Sequence, residues 1–152
     1  MKLFLGSTLA LGLSSAALAA GVASDVRPWT PAGISSPKFE SHAAFDPRTG
    51  DFYFVRSSPQ FTGWRILFSR CTKGGWSTPE PPPFAGDGVE ADPYFTPDGS
   101  SVYFISTRSV DGVKRKDLDI WRVDRSDSGS WSAPTRLPAP RSEEHTSELQ
   151  SQ

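Results

Sequence analysis

The chain has 152 residues, and 16 Lys and Arg against 17 Asp and Glu give it a formal net charge of −1 at pH 7. A charge this close to zero provides no electrostatic basis for binding nucleic acid, so we predict no such partner. The single cysteine, Cys71, excludes an internal disulfide, and two histidines are too few for a zinc site of clustered His and Cys. We therefore predict no metal ion and no cofactor.

The first residues have the pattern of a secretory signal peptide. Lys2 supplies the positive start, residues 3–13 form an apolar run too short to span a bilayer comfortably, and Ala-Leu-Ala at 17–19 matches a small-x-small cleavage site. We predict a signal peptide over residues 1–19, a leader or linker over 20–36, and a periplasmic or secreted protein without membrane insertion after cleavage. A membrane-anchoring helix is the alternative.

A first repeat is predicted over residues 37–85. Residues 40–56 read E-S-H-A-A-F-D-P-R-T-G-D-F-Y-F-V-R, which is typical of two strands joined by a turn. We place these strands near residues 43–45 and 52–56, a third at 65–70, and a short fourth near Trp76. The prolines of the T-P-E-P-P-P run that follows lack backbone donors, so the run is expected to connect along an outer edge, with a proline-rich ligand segment as the alternative.

A second repeat is predicted over residues 86–140. Residues 90–106 read E-A-D-P-Y-F-T-P-D-G-S-S-V-Y-F-I-S, and Glu90 follows Glu40 by 50 positions (90 minus 40). Strands are expected near residues 92–95, 101–106, 119–124 and 131–133. A four-stranded unit with this period is typical of propeller blades. The Lys-Arg-Lys run at 114–116 is interpreted as a solvated loop, with a partner contact as the alternative.

These repeats resemble a known family. The run D-P-Y-F-T-P-D-G-S-S-V-Y-F-I-S at 92–106, followed by D-I-W-R-V at 119–123, is similar to the repeat of TolB-like periplasmic β-propellers. The resemblance covers about residues 36–140 and is weaker in the first copy, where His42 replaces Asp and Ala43 replaces Pro. It implies an all-β fold, a β-propeller fragment of two four-stranded antiparallel blades in an incomplete ring.

Alternation along the strands predicts a core shared by two sheets packed face to face, because alternate residues face the neighbouring sheet. The aromatic residues expected in or beside this core are Phe45, Tyr53, Phe54, Phe68, Tyr94, Phe95, Tyr103, Phe104 and Trp121.

The last residues, 141–152, share no pattern with the repeats. They read R-S-E-E-H-T-S-E-L-Q-S-Q, which resembles the in-frame translation of a common sequencing-library adapter. We expect this segment to be non-native and the natural sequence to be cut off after about Pro140, and we assign it no chemical role.

Propeller geometry suggests a site. The innermost strand of each blade starts at one mouth of the central channel, so we expect Glu40, His42, Glu90 and Asp92 near that mouth, where they would contact a ligand or a partner peptide. The alternative is that these residues cap loops and bond neighbouring blades. The sequence contains neither a G-x-S-x-G nucleophile elbow nor a glycine-rich phosphate loop.

These observations favour a non-enzymatic, exported TolB-like scaffold that binds a protein, a peptide or another ligand in the periplasm. The alternative is the front part of a larger exported enzyme, such as a prolyl-oligopeptidase-type peptidase or a propeller lyase. Fold similarity does not separate the two, because propellers carry many unrelated activities.

Overall fold

A computed structural model describes residues 27–138 of the chain. These residues form only β-strands and connecting segments, and every strand pairing is antiparallel, as predicted. Residues 27–138 contain no helix of the length and hydrophobicity that crossing a membrane requires. The predicted signal peptide, its cleavage site and the adapter-like tail lie outside the described residues.

The first repeat forms a three-stranded sheet and a small hairpin. The sheet has the order β1-β2-β3, and its strands are β1 (Phe39–Phe45), β2 (Phe52–Ser57) and β3 (Arg65–Ser69). The hairpin consists of β4 (Cys71–Thr72) and β5 (Gly75–Trp76). The three predicted long strands are confirmed, but the prediction of a four-stranded sheet is wrong for this repeat, because the short strand at Trp76 pairs with Cys71 in the separate hairpin. The free Cys71 is exposed.

The second repeat forms a four-stranded sheet with the order β6-β7-β8-β9. Its strands are β6 (Glu90–Phe95), β7 (Ser101–Ser106), β8 (Asp119–Asp124) and β9 (Thr135–Arg136). The prediction of a last strand at residues 131–133 is wrong, since Trp131 makes only an isolated bridge to Arg125. Pro134 has no backbone N–H to donate, and the ladder forms at the two residues that follow it.

The hairpin turns of the two repeats touch each other. Gly99 closes its turn with φ of 65°, a left-handed conformation that glycine adopts without steric cost. Hydrogen bonds from the hydroxyl of Thr96, and then from the backbone and hydroxyl of Ser100, lower the pKa of Asp98 to about 2. The Arg48 Nε donates to the Asp98 carbonyl oxygen at 2.7 Å, and a Cβ on Gly99 would lie 2.8 Å from Arg48 Cγ.

The two sheets share one apolar core. The predicted core residues buried there are Tyr53, Phe68, Phe95, Phe104 and Trp121. They come from both repeats and pack with Val55, Ile66, Phe84, Val102 and Val123. The shared core predicted from strand alternation is therefore confirmed.

Four aromatic residues depart from the prediction, and one of them, Tyr103, is half-buried and lies on the face of the second sheet that points away from the core. Phe45 is 53% exposed and Tyr94 is 61% exposed, so neither is buried in the core. Phe54 is buried, but in a second cluster with Ile34 and Phe52 on the far side of the first sheet. The physical reason is that successive residues point to opposite faces, and Phe45 and Tyr94 point to faces that no neighbouring sheet covers.

The two sheets are stacked in the same orientation. Tyr53 and Ile66 of the first sheet face the shared core, and both are buried. The equivalent positions in the second sheet are Tyr103 and Ile120, which lie opposite Arg122 and Ile105. Both point away from the core because successive residues of a strand face opposite sides. Ile120 is 47% exposed, so the second sheet presents to solvent the same face that the first sheet buries.

Candidate functional site

The first strands of the two sheets, β1 and β6, lie side by side, and each carries a β-bulge at the equivalent place. The bulges lie at His42, with φ of 50°, and Asp92, with φ of 53°. Left-handed backbone is uncommon for residues other than glycine, and bulges re-aim the side chains they carry. Sequence analysis named both residues but did not predict the bulges.

The bulges bring His42 and Asp92 into contact. The His42 Nε2 lies 3.1 Å from the Asp92 Oδ1, and the other ring nitrogen, Nδ1, lies 2.8 Å from the Ser41 hydroxyl oxygen. About half of each side chain remains exposed, at 50% for His42 and 46% for Asp92. An imidazole and a carboxylate from successive repeats therefore form a single polar surface that is open to solvent.

The two glutamates have a different environment. Glu40 accepts hydrogen bonds from the Ser36 hydroxyl at 2.5 Å and the Arg56 Nε at 2.8 Å. Glu90 is 1% exposed and accepts from the Gly86 N–H at 2.7 Å and the Arg108 Nη2 at 2.5 Å.

Each glutamate thus bonds a residue four positions earlier and an arginine. This arrangement tethers the segments that enter β1 and β6, which corresponds to the loop-capping alternative.

A groove adjoins the ends of the strands near Glu40 and Glu90. It lies between the β2–β3 loop and the β7–β8 loop and has a volume of about 360 Å³. Phe61, Trp64 and Leu118 supply most of its apolar lining, and Lys116 stands at its rim. Sequence analysis missed the apolar groove residues because they lie in loops without periodicity, although the basic run was noted.

A second concavity lies at the opposite end, where the turn after β1 meets the turn after β8. This cleft of about 440 Å³ includes Asp46 and Arg125, whose side chains are 1% and 6% exposed. Both Arg125 Nη atoms donate to the Asp46 carboxylate, and the Arg125 guanidinium lies 4.3 Å from the centre of the Trp131 ring. The ion pair links the two repeats across the core.

Burial, hydrogen bonds and neighbouring charges together determine the protonation states in this cleft. For Asp46, desolvation is the largest influence and acts to raise the pKa, but hydrogen bonds from Arg125 and the Arg48 backbone outweigh it, so the pKa is lowered. For Tyr53, desolvation and the negative charges of Asp46 and Asp51 raise the pKa to about 12. Asp46 therefore remains ionised and Tyr53 remains protonated near neutral pH, which suits a structural cross-link.

Within residues 27–138, no group of three His, Cys, Asp or Glu side chains is arranged to hold a metal ion. Comparison of the chain with known proteins found no matching family model, curated protein or solved structure.

Proposed function

We propose that this chain is part of an exported, non-enzymatic β-propeller of the TolB-like kind, which acts as a binding scaffold. Its channel-side surface around His42 and Asp92 binds a protein or peptide partner in the periplasm or outside the cell. The observation that carries the proposal is the contact between these two residues, which occupy the same position in successive repeats and the same left-handed conformation.

The arrangement of the sheets supports the propeller architecture. The two sheets pack face to face in the same orientation, and their first strands are neighbours. In a propeller, each blade packs on the next in this way and the first strands line the central channel. The exposed outer face of the second sheet, with Tyr94 and Ile120, would then be the surface against which a third blade packs.

Backbone strain supports binding at the bulges. Non-glycine residues in the left-handed region cost free energy, and such residues cluster at sites where side chains are aimed at a ligand. Here two such residues meet, and their polar groups stay exposed instead of forming a buried network. An imidazole that both donates and accepts, beside a carboxylate, suits the polar backbone and side-chain groups of a protein partner.

Site-specific photo-crosslinking tests the proposal. A photoreactive phenylalanine analogue replaces Ala43, which is exposed beside His42, or Ala133, an exposed alanine outside this surface that serves as the matched control. In cells that naturally produce the protein, we expect position 43 to give a discrete covalent adduct. The adduct should be recovered with exported proteins, and its yield should be lower in an H42A/D92A variant. The absence of this adduct, or equal adducts from both positions, contradicts the proposal.

A further inference from the structure

The groove between the β2–β3 and β7–β8 loops combines an apolar lining with rigid walls. Phe61 is 54% exposed, yet its ring packs against Phe39 at 4.3 Å between centroids. The Trp64 Nε1 donates to the Phe61 carbonyl oxygen at 2.7 Å, and the Phe61 N–H donates to the Ser58 carbonyl oxygen at 2.9 Å. The loop therefore holds a large apolar side chain at the surface.

The backbone of Phe61 is itself unusual. Its φ is 58°, a left-handed conformation that a bulky residue rarely adopts. The loop maintains this conformation with hydrogen bonds between Ser58 and Thr62, at 2.9 Å between backbone atoms and 2.8 Å between hydroxyls. A strained residue held by surrounding bonds is a common mark of a preorganised ligand clamp.

The opposite wall of the groove, formed by the β7–β8 loop, carries a positive charge. Val113 and Leu118 are exposed on the β7–β8 loop, and Lys116 lines the groove beside Leu118. Arg115 pairs with Asp119 at 2.5 Å, whereas no carboxylate of residues 27–138 forms a salt bridge with Lys116. A bound ligand that carries a carboxylate would pair with the Lys116 ammonium.

We propose that this groove binds an acidic peptide segment of a partner protein, with one aromatic or leucine side chain inserted between Phe61 and Leu118 and a neighbouring carboxylate on Lys116. The inference rests on the proposed function and deepens it by stating the chemistry of the partner. The volume of the groove lies at the lower end of the range of ligand pockets in proteins, which is about 300–1,000 Å³. A few large apolar side chains that insert into the partner's surface dominate the energy of many protein interfaces.

A random-peptide phage library, panned against the full chain, tests the proposal. We expect enriched sequences that combine an aromatic residue or leucine with Asp or Glu. A labelled synthetic copy of an enriched peptide, measured by fluorescence anisotropy, should bind at least about tenfold more weakly to F61S and K116E variants. The matched controls are F45S, at a Phe of similar exposure elsewhere, and K73E, at an exposed lysine in another hairpin; both should bind as the wild type does.

Two results would overturn the inference. The first is enrichment of basic or uncharged peptides, or binding unaffected by both groove variants. The second is Phe61-dependent sedimentation with phosphatidylglycerol vesicles in place of acidic peptide binding, which would assign the loops to a membrane surface. The two proposals can fail separately. If the crosslink from position 43 still forms in the F61S and K116E variants, the scaffold proposal stands and the groove proposal fails. If the groove binds the peptide but no crosslink forms from position 43, the groove proposal stands and the scaffold proposal fails.

Discussion

Replacing Asp46 by alanine should destabilise the chain more than replacing any surface carboxylate, because it leaves Arg125 buried without its counter-charge. In the folded chain the two side chains are 1% and 6% exposed, and both Arg125 Nη atoms donate to the carboxylate. The same carboxylate also accepts from the Arg48 N–H at 2.9 Å, so the substitution removes a turn bond as well.

The expected loss follows from these contacts. Removing one partner of a buried ion pair costs about 3–5 kcal/mol, and the lost turn hydrogen bond adds about 1 kcal/mol. We therefore expect D46A to lower the free energy of unfolding by about 4–6 kcal/mol, a large fraction of the roughly 5–15 kcal/mol that stabilises a typical domain. Adding R125M to D46A should restore about half of the loss, because the uncompensated charge is gone.

Urea unfolding followed by tryptophan fluorescence at low protein concentration measures this difference, since Trp131 lies directly against Arg125. E80A is the control: Glu80 pairs with Arg70 at 2.6 Å, but both side chains are about half exposed, and such a pair contributes at most about 1 kcal/mol. A D46A loss no larger than that of E80A, or a double variant less stable than D46A, would refute the buried-pair argument.

Three further outcomes are expected. Asp98 has a pKa lowered to about 2, so the stability it contributes is present above its unfolded pKa of about 3.9 and is lost as pH falls towards 2. Thermal melts across this pH range should show the loss, and D98N should reduce the pH dependence of the melting temperature. G99A should cost about 1–2 kcal/mol in urea unfolding, because φ there is 65°, whereas G74A, with open space and no positive φ, should cost little. The exposed face with Tyr94 and Ile120 should make the chain self-associate, and Y94K/I120K should shift light scattering on size exclusion towards monomer; a monomeric wild type would contradict this.

Turn chemistry and strand pattern were open to prediction from the sequence. The run Pro-Asp-Gly at 97–99 predicted a turn with a left-handed glycine, and Gly99 has that conformation. Aromatic and β-branched residues predicted β2 and β3 in the first sheet and β7 and β8 in the second, and the structure confirms these four strands. These features depend on neighbouring residues in the chain, so local sequence carries their information.

The charged contacts were not open to prediction in the same way. Asp46 and Arg125 lie 79 positions apart, and nothing in their local sequence pairs them. His42 and Asp92 were named as channel residues, but their contact depends on two bulges that no local pattern announced. The groove at Phe61 likewise forms only where two loops from different repeats meet.

The repeat, the antiparallel strands, the turns and the alternation of faces could therefore be predicted from the sequence, because each is a property of short stretches of chain. Which face has a neighbour depends on how the two sheets pack together. Phe95 and Phe45 occupy the same repeat position, yet Phe95 is 8% exposed and Phe45 is 53% exposed. Phe95 faces the first sheet, whereas Phe45 faces away from the second, and burial depends on what lies across the interface and not on the residue itself.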